Sequence, residues 1–375
     1  MQYTEYELGE LLPFEQPTAY IVKSTDYSDS YATPVLTAGK SFILGKTNET
    51  DGIFDQLPVI IFDDFTTATQ FVNFRFKVKS SAMKILHINT DLVIPKYIFY
   101  RLQIIQFDHS THKRYWIQSY SKIKVLIPPL DEQSRIVTRI DELFSELDKA
   151  VDTLKTTKEQ LEVYRQAVLK DAFSDFEKKD SIRNLTMVVT SGSRGWAKYY
   201  SNSGALFVRI GNLTHSGIDI DFRDIQHITP PDNAEGVRTR LQPNDVLVSI
   251  TADLGSIGFV SEKVEEAYIN QHIALVRFQN PVQGRFMAWY LRSEYGQKDL
   301  LKNKRGGGKL GLGLDDIRDT PVPIVDDITA TEIVDKVEEQ LSVCDSIEKT
   351  VDTALAQADA MRQSILKQAF EEGSV

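Results

Sequence analysis

The chain has one cysteine, Cys344, so no internal disulfide can form, which agrees with a reducing compartment. It also lacks any long hydrophobic run. Apolar stretches such as PVIIF (residues 58–62) fall far short of the roughly 20 residues a membrane span requires. The opening MQYTEYELGE lacks the basic start and apolar stretch of an export signal, so a cytoplasmic protein without membrane contact is expected.

Several kinds of chemistry are missing too. The six histidines are scattered, and no Cys/His cluster stands at zinc-ligand spacing. Asp63-Asp64 has no His or third carboxylate beside it, so a capped turn is expected there rather than a metal site. LTAGKSFILGKT (36–47) ends like a phosphate-binding loop, but five residues separate Gly39 from Gly45 where that motif needs four. A Gly-punctuated turn between strands is the expectation. RGGGKLGLG (305–313) lacks the strand and spacing of a dinucleotide fingerprint; it reads as a surface loop whose glycines would let the backbone approach a phosphate. Ile127-Pro128-Pro129-Leu130 has two prolines but not the preceding Asn of the Asn-Pro-Pro-Tyr methyltransferase signature. No catalytic constellation remains, which points to binding or scaffolding.

What is present is a repeat. RQAVLKDAF (165–173) returns as RQSILKQAF (362–370), and extending the offset of 197 pairs residues 135–173 with 332–370 without a gap, 14 of 39 positions being identical. Neither copy contains Gly or Pro, and both favour helix. Steps of four and three trace a heptad seam through Ile136, Ile140, Leu143, Leu147, Ala150, Leu154, Thr157, Leu161, Tyr164 and Val168. In the second copy the seam runs through Ile333, Val337, Gln340, Cys344, Ile347, Val351, Ala354, Ala358, Met361 and Ile365. Nine of ten positions are apolar or aromatic in each copy, so the two helices suit packing on one another, parallel or antiparallel. Cys344 falls on the seam and reads as a buried, unreactive thiol.

Charge follows the repeat. Residues 1–130 are balanced at 13 basic and 13 acidic, and residues 176–325 carry +2, whereas residues 131–175 and 326–375 together carry −12. The whole acidic excess therefore sits in the two helices, which makes them poor ligands for nucleic acid.

The two intervening blocks share an order of features. LPVIIFDDFTTATQFV (57–72) and NDVLVSITADLGSIGFV (244–260) each read as strand, polar turn, strand. A further strand ends at Asn89 or Asn280; an aromatic-rich helix follows, YIFYRLQ (97–103) or RFMAWYLRS (285–293). Lys113-Arg114 and Lys304-Arg305 come 24 and 25 residues after those asparagines. A Pro-containing extended lead, IKVLIPPL (123–130) or IRDTPVPI (317–324), enters each helix.

Two dissimilar blocks alternating with two similar long helices, with IPPLDEQSRIV (127–137) at the first junction, resemble the specificity subunit of type I restriction-modification systems. YINQHIALVRF (268–278) and FVRIGNL (207–213) look typical of that family's target recognition domains. The resemblance covers essentially the whole chain. It implies an α+β fold with an internal pseudo-repeat: recognition domain 1 (1–130), helical spacer 1 (131–175), recognition domain 2 (176–325) and helical spacer 2 (326–375), the spacers packed as an antiparallel coiled coil. It also implies a non-catalytic chain in which each recognition domain reads one half of a bipartite double-stranded DNA target. Two methyltransferase subunits would dock on the helices, and restriction/translocase subunits would complete the complex. S-adenosylmethionine, ATP and Mg would belong to those partners. The second junction, VPIVDDITATEIV (322–334), departs from the pattern because it lacks Glu-Gln-x-Arg. A stand-alone bipartite DNA-binding regulator and a coiled-coil adaptor are the alternatives.

Arg and Lys can read guanine, and Asn or Gln adenine, in the major groove. On that basis the DNA-contact candidates are Gln70, Asn73, Arg75, Lys77, Lys113 and Arg114 in the first block. In the second they are Arg209, Asn212, Arg238, Arg240, Lys304, Arg305 and Lys309. The helix-packing and docking candidates are the seam residues, chiefly Ile136, Ile140, Leu143, Leu147, Leu154, Leu161, Ile333, Val337, Ile347, Val351 and Ile365.

Overall fold

The structure, a computed structural model, describes residues 3–38, 41–109, 114–174, 176–302, 304 and 310–372. Two compact units divide the chain. The first is Met1–Leu154 with Thr353–Val375, and the second is Lys155–Asp352. Each contains one block, the near part of one long helix and the far part of the other.

The two blocks share the strand order of their principal sheet. In the first unit a four-stranded antiparallel sheet orders Phe14–Glu15, Met83–His87, Val59–Asp63 and Thr69–Val72. In the second unit the equivalent order is Thr186–Ser191, Ile273–Phe278, Val246–Ser249 and Ile257–Phe259. Each block also pairs its opening strand with the strand leading into its long helix, Thr4–Glu7 with Lys124–Ile127 and Lys179–Ser181 with Pro321–Pro323. A second sheet in each block, three-stranded in the first and four-stranded in the second, holds one parallel pair, Thr33–Leu36 beside Lys77–Val78 and Ala205–Val208 beside Ala267–Ile269.

Period-two alternation explains why the central strands are apolar on both faces. Ile60 and Phe62 enter a core with Leu86, Trp116 and Tyr120, while Val59 and Ile61 enter another with Val72, Phe76 and Ile85. In the second unit Val246 and Val248 join one core and Leu247 another. Each such fully buried side chain contributes about 1.5–3 kcal/mol of transfer free energy. The turn after Val59–Asp63 is capped as expected: Asp63 Oδ1 accepts from the Phe65 and Thr66 amides at 2.9 and 3.3 Å. Asp64 turns inward, where it meets the buried Lys84 ammonium at 3.2 Å and accepts from the Trp116 amide at 2.9 Å. Gly45-Lys46-Thr47 lies within the strand Ile43–Thr47, not in a turn and not before a helix.

The long helices run Leu130–Ala172 and Asp327–Glu372. Within each unit their segments are antiparallel. In the second unit Arg165 meets Asp345 at 2.7 Å and Lys158 meets Asp352 at 2.8 Å; in the first, Arg362 is bonded to Asp148. The repeated phrase ends in a phenylalanine that wedges against a block, Phe173 on Phe286 with ring centroids 5.5 Å apart and Phe370 on Tyr97 at 5.3 Å.

The seam holds at Ile136, Ile140, Leu161, Val168, Val337, Cys344, Val351 and Ala358, all buried. Leu143, Leu147, Leu154, Ile333 and Ile365 are half-buried, and Ala150, Tyr164, Ile347 and Met361 are exposed. Near the start of the second helix the buried stripe runs through Ala330, Val334, Val337, Leu341 and Cys344, so Leu341 replaces Gln340. There the helix faces its block as well as its helical partner, and a straight α-helix drifts about 20° per heptad from a strict 3.5 repeat.

Candidate nucleic-acid interface

Glu-Gln-x-Arg at the first junction is a staple between helix and block. Gln133 is fully buried; its Oε1 accepts from the Ile94 amide at 2.8 Å, and its Nε2 donates to the carbonyls of Leu92 at 3.0 Å and Pro128 at 2.9 Å. Two of these groups lie in the turn entering helix Pro95–Leu102 and the third in the lead into the long helix, so one side chain ties the two together. Arg135 holds both oxygens of Glu132, at 2.9 and 2.6 Å, and pulls that carboxyl below its ordinary pKa. The second junction reverses the direction. Gln283 of the block reaches the Val325 carbonyl at 2.9 Å, Asn280 donates to Asp327 at 2.6 Å, and Asp326 caps the helix through the Thr329 amide at 2.9 Å. Loss of Glu-Gln-x-Arg there is thus compensated from the block's side.

The DNA-contact candidates separate by what their side chains touch. Gln70 lies on the edge strand Thr69–Val72 with its side chain exposed, and Asn73, Arg75 and Arg114 are exposed as well. Lys77 is not available to a ligand: it is 1% exposed, with Nζ 3.0 Å from Glu49 and donating to the Asp51 carbonyl at 2.6 Å. Asn212 is likewise committed inside. It accepts from the Arg209 amide at 2.8 Å and donates to the carbonyls of Asp221 and Asp224 at 2.8 and 3.1 Å, pinning the loop between those residues. Arg209 lies against Asp224, 3.1 Å from its carbonyl, and Arg240 is 3.5 Å from Glu266. Arg238 is exposed and donates to Thr190 Oγ1, the Ser191 carbonyl and Ser193 Oγ. Lys304 is exposed; Lys113, Arg305 and Lys309 lie outside the described residues.

In each unit a later segment is bonded to the end of the central strand. Beside Arg114, the Tyr115 amide bonds the Asp64 carbonyl at 2.9 Å, at the mouth of the first central hairpin. In the second unit Leu312 bonds the Ile250 carbonyl at 2.9 Å, at the mouth of the equivalent hairpin. The loop 192–195 adds a cation that composition did not single out. Arg194 is exposed beside Ser193, the residue Arg238 holds, and Gly192 is required because a Cβ there would lie 2.3 Å from the Asn270 backbone. The run Ser-Gly-Ser-Arg-Gly was its only sequence signal.

Among the described residues no group of three or more His, Cys, Asp or Glu side chains is placed to hold a metal, and no helix is long and apolar enough to cross a membrane.

Residues 2–163 match the family model of the Type I restriction modification DNA specificity domain. The chain is 45% identical over 174 residues to the EcoR124I/EcoR124II specificity subunit of Escherichia coli, a match covering 43% of each chain. It is 26% identical over 277 residues to the Escherichia coli EcoBI specificity subunit and 29% over 276 residues to the Salmonella potsdam StySPI one, covering 65% and 67% of this chain. The matched stretches span 43%, 57% and 58% of those three relatives. Two solved structures share the fold at 16% identity: a chain solved in work on assembly and conformational transition of the type I R-M system (TM-score 0.71, covering 98% of this chain and 97% of that one) and the HsdS subunit from Thermoanaerobacter tengcongensis (TM-score 0.54, covering 98% and 96%). The chain is thus similar, in sequence over its first half and in fold over nearly its whole length, to type I restriction-modification specificity subunits.

Proposed function

We propose that the chain is the non-catalytic DNA-specificity subunit of a type I restriction-modification complex, each block reading one half of a bipartite, asymmetric target. The observation that carries this is the duplication: two blocks of unlike sequence built on the same four-stranded sheet order, each followed by a long helix of the repeat. Equal frames with different surfaces suit the reading of two different half-sites. The helices set the spacer and dock two methyltransferase subunits, which bring S-adenosylmethionine to adenine; restriction/translocase subunits bring ATP and Mg. The complex works in the cytoplasm.

The charge map supports a division of labour. Blocks at 0 and +2 provide little non-specific phosphate attraction, so partners supply much of it, and the chain alone binds DNA feebly. Mapping methylated adenines in the source genome before and after deletion of this chain tests the reading. A bipartite motif that vanishes on deletion is expected, and one that persists refutes it. Recovery of a methyltransferase partner on co-purification, at two copies per chain, is the corresponding expectation for docking.

A further inference from the structure

Each unit fastens its block to its long helix with one three-part contact, built twice from different residues. In the first unit Asp141 of the first long helix accepts from Lys96 Nζ on Oδ2 and from the Tyr100 hydroxyl on Oδ1, each at 2.6 Å. Lys96 and Tyr100 stand one turn apart on helix Pro95–Leu102. In the second unit Glu338 of the second long helix accepts from the Arg285 guanidinium and from the Trp289 indole N–H, the latter at 2.9 Å. Arg285 and Trp289 again stand one turn apart, on helix Gly284–Arg292. Asp141 and Glu338 are 197 residues apart, the offset of the helical repeat, while Lys96/Arg285 and Tyr100/Trp289 are both 189 apart.

All three members have changed type, yet a cation, an aromatic donor and a carboxylate meet in both units. Changing the length of one partner displaces the others, so a contact that had only been inherited would have come apart as the copies diverged. The position of the contact supplies its role. Gln133 ties the block at the start of the first helix, and Asp141 lies eight residues further along, about 12 Å of helix rise. One anchor lets a block swing about its junction, whereas two anchors separated along the axis do not. The second unit repeats this with Asp327 at the junction and Glu338 eleven residues on. Tyr100 and Trp289 are 9% and 7% exposed, so the aromatic arm of each contact is shielded from water.

We propose that Lys96, Tyr100 and Asp141, and Arg285, Trp289 and Glu338, are positioning residues that fix the orientation of each block on its long helix and thereby set how strictly the distance between half-sites is read. This rests on the bipartite reading above. The test uses the full chain assembled with its modification subunits and DNA duplexes carrying both half-sites at the native spacing or with one base pair added or removed. In Asp141→Asn and in Glu338→Gln, the ratio of methylation at altered spacing to that at native spacing rises about threefold to tenfold, the range for weakening a charged hydrogen bond. The bases required in each half-site stay unchanged. Tyr100→Phe and Trp289→Phe each remove one donor and keep a ring, and they give the same direction should the carboxamide variants fail to assemble. A merely structural contact lowers methylation of all duplexes alike and leaves the ratio flat, which overturns the proposal. If the wild-type complex methylates no bipartite site, the functional reading itself fails. If it does so strictly and every variant is as strict, the clamps alone are refuted.

Discussion

The Arg165 guanidinium of the first long helix lies 2.7 Å from Asp345 of the second, and the same pair recurs as Arg362 with Asp148, each member displaced by 197 residues. The two partners are unequally placed: the Arg165 side chain is 10% exposed and that of Asp345 70%. A buried arginine stem packs as an apolar side chain does, while an exposed carboxylate contributes little. Arg165→Ala should therefore destabilise the full chain by about 2 kcal/mol. Asp345→Ala should cost less than about 1 kcal/mol, because Glu348 also holds Arg165, at 3.0 Å. Urea unfolding of both variants decides this; equal costs would assign the stabilisation to the ion pair rather than the stem.

Gln133 makes a sharper case, since its one buried side chain bonds three backbone groups. Gln133→Ala strands the Ile94 amide and two carbonyls away from water, which should cost about 2–4 kcal/mol. Hydrogen exchange at the Ile94 amide should accelerate in this variant before the block's central strands respond. Uniform acceleration across the block would show that the side chain stabilises the domain generally and not this junction.

Acid should loosen the same junction. Glu132 is held below its ordinary value of 4.5, mainly by its hydrogen bonds from Arg135. A carboxyl whose folded pKa is depressed stabilises the fold at pH above its unfolded value, and that contribution is lost as pH falls through the folded one. Wild type should thus lose melting temperature on going from about pH 5 to about pH 3, and Glu132→Gln should lose less over that interval. Identical pH profiles would remove Glu132 from the list of acid-sensitive contacts.

Much of this was legible in the sequence because it is periodic or repeated. The 197-residue offset exposes the duplication, and short apolar runs ending in polar turns mark Val59–Asp63 and Val246–Ser249 as strands. Helix orientation came from the family resemblance and not from the heptad stripe, which parallel and antiparallel partners bury equally well. In the structure it is visible in pairs such as Lys158 with Asp352. The swing from Gln340 to Leu341 follows from packing on the block, which no local pattern encodes. Lys77 and Asn212 looked like DNA contacts because residue type does not show direction: the partners that draw them inward, Glu49 and the Asp221–Asp224 loop, become neighbours only on folding.

That inversion separates two residues of one block. Arg75 is exposed and Lys77, two positions on, is buried against Glu49. If Arg75 meets a phosphate, Arg75→Ala in the assembled complex weakens binding to all sequences and lowers the slope of log affinity against log salt by about 0.9. The Lys77 charge is already neutralised inside the protein, so Lys77→Met should leave that slope unchanged. Its effect should fall on stability instead, because Glu49 is then left half-buried without its cation. Filter binding across a salt series, paired with thermal melting, separates the two. A lowered salt slope in Lys77→Met with an unchanged melting temperature would mean that Lys77 leaves Glu49 to reach DNA.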